Sequence, residues 1–356
     1  VPAVDPTRCP LCGQSNACAI AAGKTRCEDC WCGAVTMPAG VLAAIPAEAR
    51  ERACICRACA TAPDPLADRG DAHGAAEAAV DAGGRPAVRL RARGGEALVA
   101  RLGAQVLSWR SAIGDVLWTG SAEKHAPGKA VRGGVPLVFP WFGAHPTDAQ
   151  KPQHGFARTL EWRIAALGPG ARVRFVAEDD AATRALWPHA FALAFDVALG
   201  DGLDLALTVT NRGDAPFAYE EAMHTYFALG DVATATVHGL EGVAFVEHAK
   251  APAPPGDPTA AIAFRAETDR VYQDVPARIE LRAPTLGRAV ELRAPAARSA
   301  IVWTPWPAKA ATLSGLGPDD WRRFCCVETA NVKQAARTLA PGARATLRLT
   351  LTARPL

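Results

Sequence analysis

From Val88 to the end of the chain, apolar and polar side chains alternate with a period of two, and this pattern constrains the fold more than any other feature. It appears first at Val88-Arg89-Leu90 and in residues 97–101 and 104–109. It returns at 173–177, 191–199, 203–210, 289–293 and 345–352. Successive side chains of an extended backbone point to opposite faces, so each run offers one face to a core and the other to solvent. Clusters of Gly, Pro and Asp separate the runs, and helical periodicity is scarce. The expectation is an all-β fold, a large antiparallel β-sandwich over residues 87–356. Neither a Gly-rich nucleotide loop nor a Ser-centred nucleophile elbow occurs, so Rossmann and hydrolase readings have little support.

At 356 residues the chain exceeds what a single core usually organises, and a division is expected. Nine of the eleven cysteines fall within residues 9–59, which marks a separate module over residues 1–60. They stand as Cys9-x-x-Cys12, Cys18, Cys27, Cys30-Trp31-Cys32 and Cys54-x-Cys56-x-x-Cys59. Spacings of one or two residues let paired thiolates reach one tetrahedral ion. About 60 residues bury too little apolar surface to fold without a staple. A disulfide staple needs an oxidising compartment. The N-terminus lacks a basic segment followed by an apolar stretch, and no apolar run reaches the roughly 18–20 residues of a membrane span.

The reading is therefore a soluble, cytoplasmic chain with a Zn2+-binding module. Its candidate ligands are Cys9, Cys12, Cys18, Cys30, Cys32, Cys54, Cys56 and Cys59, with Cys27 left over. Two four-thiolate sites fit that number, but the sequence leaves the grouping open, and disulfides or a redox role remain alternatives. Val41, Leu42 and Ile45 predict a short helix within 38–50. Residues 61–86 are mostly Ala, Asp, Gly and Pro and read as a flexible tether. The charge balance, 39 basic against 36 acidic residues, argues against nucleic acid as a partner, and within the module six basic residues face five acidic ones. The module's own partner stays undefined.

Chemistry-bearing residues gather in four places. Arg132-Gly133-Gly134-Val135-Pro136 and Gln153-His154-Gly155-Phe156-Ala157-Arg158 put two guanidiniums on Gly-bounded backbone, suited to a bidentate grip on phosphate or carboxylate. The plain alternative is a solvated surface loop. Residues 220–227, 267–272 and 325–331 each set titratable groups in apolar or aromatic runs. His224 is expected on a strand face shared with Ala222 and Tyr226, as a hydrogen-bonded core histidine or as an acid–base group. Glu328 follows Phe324-Cys325-Cys326-Val327, where an unpartnered carboxylate is costly. Asp269 beside Arg270 reads as an ordinary ion pair or as a ligand group. Cys325 and Cys326 read as small core residues.

The ordered set Arg132-Gly133-Gly134-Val135-Pro136, His154-Gly155-Phe156-Ala157-Arg158, His224-Thr225-Tyr226, Asp269-Arg270-x-Tyr272, Trp303-Thr304-Pro305-Trp306 and Val327-Glu328 resembles the hexose-6-phosphate mutarotases. These are the glucose-6-phosphate 1-epimerases of the galactose-mutarotase-like superfamily. The resemblance implies a galactose mutarotase-like β-sandwich that interconverts α and β anomers of a hexose 6-phosphate without a catalytic cofactor. It implies His224 as general acid at the ring oxygen and Glu328 as base at the anomeric hydroxyl. Arg132 and Arg158 would hold phosphate, Gln153 and His154 would line the sugar site, and Asp269 would bind sugar hydroxyls. Thr304 and Thr329-Ala330 depart from the family's usual residues. Alternative readings are a non-catalytic sugar-phosphate sensor and an epimerase of unphosphorylated aldoses. At the N-terminus, Cys9-Pro10-x-Cys12-Gly13, Asn16-x-Cys18, Cys30-Trp31-Cys32 and Cys54-Ile55-Cys56-Arg57-x-Cys59 resemble the cysteine-rich CWC family, which implies a compact module and no particular activity.

Overall fold

The computed structural model describes residues 4–10, 15–23, 30–35, 37, 45, 49–60, 70–121, 130–254 and 256–356. The alternating runs form strands Pro86–Ala92, Gly95–Ala100, Val106–Ser111, Arg172–Glu178, Phe191–Leu199, Leu203–Asn211, Arg288–Arg293 and Arg344–Pro355. A nine-stranded antiparallel sheet is centred on Arg344–Pro355 and Leu203–Asn211. Their register sets Leu205 against Leu349 and Leu207 against Leu347. Such apolar cross-strand pairs bury both partners, each side chain contributing about 1.5–3 kcal/mol.

A second, seven-stranded sheet runs in the order Phe245–Glu247, Thr268–Gln273, Ser299–Thr304, Phe324–Asn331, Glu221–Met223 and Leu137–Val138, with Tyr226–Ala228 also paired to Phe324–Asn331. Strand Phe324–Asn331 is buried at every position. Its Cys325 and Val327 join the core shared with the nine-stranded sheet, so the two sheets form a sandwich. Its Phe324, Cys326 and Ala330 enter a separate cluster with Trp118, Val138, Tyr226, Ile301 and Trp303. Alternation assigns Glu328 to that second face. Cys325 and Cys326 are fully buried, as small core residues should be.

The expected tether over 61–86 requires correction in its second half. Ala75–Val80 is an edge strand paired with Pro86–Arg91 in a five-stranded sheet. Edge pairing draws on backbone hydrogen bonds and needs little apolar side chain, and the Glu77–Arg91 ion pair (2.5 Å) adds a cross-strand charge contact. Residues 61–69 lie outside the described residues, as does most of the helix expected at 38–50.

Two glycines hold the loops of interest against the sheets. Gly134 has φ +61°, and a Cβ there would sit 2.0 Å from the Val106 carbonyl oxygen. Gly155 has φ +69°, and a Cβ there would sit 2.0 Å from the Phe139 carbonyl oxygen. Only glycine permits both the backbone conformation and the close approach.

Candidate active site and metal centre

His224 does not lie within a strand, as its sequence pattern predicts. It occupies a two-residue break between Glu221–Met223 and Tyr226–Ala228. The ladder to Phe324–Asn331 keeps its register across the break, with Met223 opposite Thr329 and Tyr226 opposite Cys326. That register places His224 directly across from Glu328. The Arg132–Pro136 segment runs alongside: the His224 N–H donates to the Pro136 carbonyl (3.0 Å) and the Tyr226 N–H to that of Gly134 (2.9 Å). The break frees the histidine from regular pairing while the ladder on each side fixes where it stands.

Nε2 of His224 lies 3.3 Å from Oε1 of Glu328. Both residues are buried, at 8% and 2% exposure, and the imidazole stacks on the Tyr226 ring at 4.9 Å and 10°. His224 Nδ1 and Glu328 Oε2 are buried without a partner among the described residues. Burial drives both groups toward their neutral forms. It holds His224 well below the ordinary histidine range, helped by His154 and Arg158. It holds Glu328 well above the carboxylate range, helped by Asp269 and opposed by Arg158. Burial thus disfavours the charged form of each group while the two stand face to face. An imidazole and a carboxyl group at 3.3 Å are within reach of proton exchange.

His154 has φ +64°, and its ring lies 5.6 Å from that of His224, nearly perpendicular. The Gly143 N–H donates to His154 Nδ1 (3.3 Å), which assigns the ring proton to Nε2. Burial, then Arg158, Lys333 and Arg132, push its pKa down to about 3, so it is a neutral hydrogen-bond donor. Arg158 donates to the Gln153 carbonyl (2.6 Å), while Gln153 itself is exposed. Arg132 donates to the Ser314 carbonyl (2.7 Å) and to the Tyr226 hydroxyl (3.4 Å). Among the described residues neither guanidinium has a carboxylate partner. Both act on the charge of His154 and His224, so they flank the pair.

Asp269 and Arg270 are not paired with each other, because neighbours on a strand face opposite ways. Arg270 meets Glu247 at 2.8 Å, and Asp269 lies opposite Trp303 on the face of the His224–Glu328 pair. Burial raises its pKa against the pull of Lys309, whose Nζ lies 3.5 Å from Asp269 and 2.8 Å from Glu267. Trp303 packs edge-on to His224 at 6.2 Å. Lys309 and Lys333 escaped the sequence reading. Lys309 follows Trp306 within the short helix Trp306–Ala310, and Lys333, left-handed at φ +58°, sits 5.5 Å over the Phe142 ring; neither carries a local signal of its place.

In the N-terminal module, the sulfurs of Cys9, Cys56 and Cys59 lie within 4.8 Å of one another and could hold a metal ion. The Cys59 N–H points to the Cys56 sulfur at 3.4 Å, and Ile55 and Ala60 pack with Cys9 and Cys56 in a small apolar cluster. Three soft sulfur donors from two segments, nearly enclosed by apolar groups, fit a thiophilic ion such as zinc. Cys12 and Cys27 lie outside the described residues. Cys18, Cys30, Cys32 and Cys54 stand apart from this trio.

No helix among the described residues is long and apolar enough to cross a membrane. Residues 86–352 match the family model of aldose 1-epimerase, and residues 9–61 match that of the cysteine-rich CWC proteins. A Cenchrus ciliaris protein provisionally named glucose-6-phosphate 1-epimerase is 35% identical over 269 residues, 71% of this chain and 80% of that protein. An Escherichia coli K12 protein of the same provisional name is 30% identical, covering 66% of this chain and 79% of that one. A provisionally designated mutarotase of Salmonella typhimurium, solved by crystallography, superposes with a TM-score of 0.67 at 28% identity, over 76% of this chain and 91% of the other. The sandwich, the buried His224–Glu328 pair and these similarities lead to one conclusion: the chain belongs to the aldose 1-epimerase family, with a CWC-type cysteine module at its N-terminal end.

Proposed function

We propose that the enzyme interconverts the α and β anomers of a hexose 6-phosphate, glucose 6-phosphate foremost, by acid–base ring opening. The observation that carries this reading is a buried His224–Glu328 pair, 3.3 Å apart, flanked by two guanidiniums that have no carboxylate partner among the described residues. Opening a hemiacetal removes a proton from the O1 hydroxyl and delivers one to the ring oxygen O5. Glu328, as carboxylate, takes the first and His224, as imidazolium, gives the second. The freed aldehyde rotates, and reclosure on its other face reverses both transfers. Arg132 and Arg158 hold the 6-phosphate, Gln153 and the neutral His154 line the sugar, and Asp269 accepts from sugar hydroxyls while Trp303 offers a flat apolar wall. Protons are all that this chemistry moves, so the side chains suffice for it.

For the module we propose Zn2+ at Cys9, Cys56 and Cys59, with Cys12 as the fourth ligand offered by the sequence, in a reducing, cytoplasmic setting where thiolates persist. The catalytic reading is tested with freshly dissolved α-glucose 6-phosphate, following optical rotation beside an equal concentration of α-glucose. Acceleration of the phosphorylated sugar well beyond the free one supports it. Equal acceleration of both removes the phosphate grip, and no acceleration of either removes the reaction.

A further inference from the structure

Among the described residues, the four cysteines outside the Cys9 trio form two close pairs. Cys18 Sγ lies 3.3 Å from Cys54 Sγ, and Cys32 Sγ lies 3.1 Å from Cys30 Sγ. Trp31, between Cys30 and Cys32, donates its indole N–H to the Asn16 carbonyl (3.1 Å), which sets this pair beside the Cys18–Cys54 pair. Thiols are weak hydrogen-bonding groups, so four of them gain little by meeting on their own. A zinc ion bound at about 2.3 Å per sulfur sets sulfur–sulfur edges of about 3.8 Å; the contacts within the two pairs are of that order, and because no three of these four sulfurs lie mutually within 4.8 Å, an ion would draw the two pairs together.

The surrounding backbone is organised for the same purpose. Asn16, 1% exposed, donates through Nδ2 to the carbonyls of Pro6 (2.8 Å) and Cys54 (3.0 Å). Its Oδ1 accepts from the Cys18 N–H (3.0 Å), and its carbonyl from the Trp31 indole (3.1 Å). One buried asparagine, through its side-chain amide and its own carbonyl, therefore positions Cys18, Cys54 and the tryptophan between Cys30 and Cys32. Such outer contacts orient metal ligands. The Cys54-Ile55-Cys56 segment divides between the two groups, since Ile55 and Cys56 pack against Cys9 while Cys54 meets Cys18.

We propose that Cys18, Cys30, Cys32 and Cys54 form a second four-thiolate zinc site, distinct from the Cys9, Cys56 and Cys59 centre. The proposal rests on the zinc reading of the module and extends it to two ions. Binding releases the thiol protons to solvent and joins three chain segments around one ion. In a module whose regular elements, among the described residues, are the turn Trp31–Ala34 and the four-residue helix Arg57–Ala60, the ions supply the folding energy that a core does not.

The test is zinc content of the full chain, purified under reducing conditions and measured by elemental mass spectrometry, for the parent and for Cys30→Ser/Cys32→Ser. Two ions in the parent and one in the variant are expected. One ion in both overturns the second site and leaves the first standing, whereas none in the parent overturns the zinc reading of the whole module. If the variant loses both ions by unfolding, native alkylation of the parent decides. Cys18, Cys30, Cys32 and Cys54 should resist alkylation until a chelator is added and then react. Ready reaction before chelation refutes the site. A denatured, unreduced mass lacking two hydrogens per bond, with these cysteines linked as disulfides, refutes it as well.

Discussion

Replacing Glu328 by glutamine removes the proposed base while keeping the shape of the side chain. A positioned general base contributes about 10²–10⁴-fold, so kcat should fall by that factor, equivalent to about 2.7–5.4 kcal/mol of barrier. The fold should survive. Glu328 is 2% exposed, and its folded pKa is raised above the unfolded value. A carboxyl shifted upward stabilises the fold fully below its unfolded pKa, and that contribution is lost as pH rises toward the folded one. Glutamine never ionises, so at neutral pH the variant should unfold at the parent's temperature or above it. The assay is polarimetric decay of α-glucose 6-phosphate with the uncatalysed rate subtracted, beside a thermal melt. His224→Asn should lose a comparable factor, and the double variant little more than either alone, because the two groups act as a unit. A folded Glu328→Gln enzyme retaining kcat within threefold of the parent would refute the acid–base assignment.

Arg158→Met should raise KM for the phosphorylated sugar about 10–100-fold, the equivalent of one charged hydrogen bond, with kcat changed only a few-fold. A collapse of kcat at unchanged KM would return Arg158 to a structural role. The pH dependence of kcat/KM should be flat through neutrality. Its acid limb, set by protonation of His224, should fall well below the ordinary histidine range because burial, His154 and Arg158 disfavour that charge; a limb centred near 6.5 would contradict this. Gly155→Ala forces a Cβ to 2.0 Å from the Phe139 carbonyl at φ +69°, costing about 1–3 kcal/mol and lowering the melting temperature by about 2–4 °C per kcal/mol. An unchanged melt would show that the loop relaxes freely.

The strands were legible because a period of two is a local property: Leu203–Asn211 and Arg344–Pro355 each display it without reference to the other. The cysteine module was legible from spacing alone, and residue types marked His224, Glu328, Arg132 and Arg158 as the groups worth watching. The strand at Ala75–Val80 was not legible, since an edge strand of small residues draws its stability from a neighbour's backbone. Lys309 was missed because its meaning comes from Asp269 and Glu267, some 40 residues away in sequence. Tertiary structure also divided the cysteines, sending Cys54 to Cys18 and Cys56 to Cys9 although one residue separates them. It alone set the register that brings His224 opposite Glu328 across 104 positions of chain. Register depends on how distant strands bury their faces together, and a shift of one residue would turn Glu328 into the sandwich core. The sequence by itself determined which residues could do the chemistry, and the packing of the sheets determined that two of them meet.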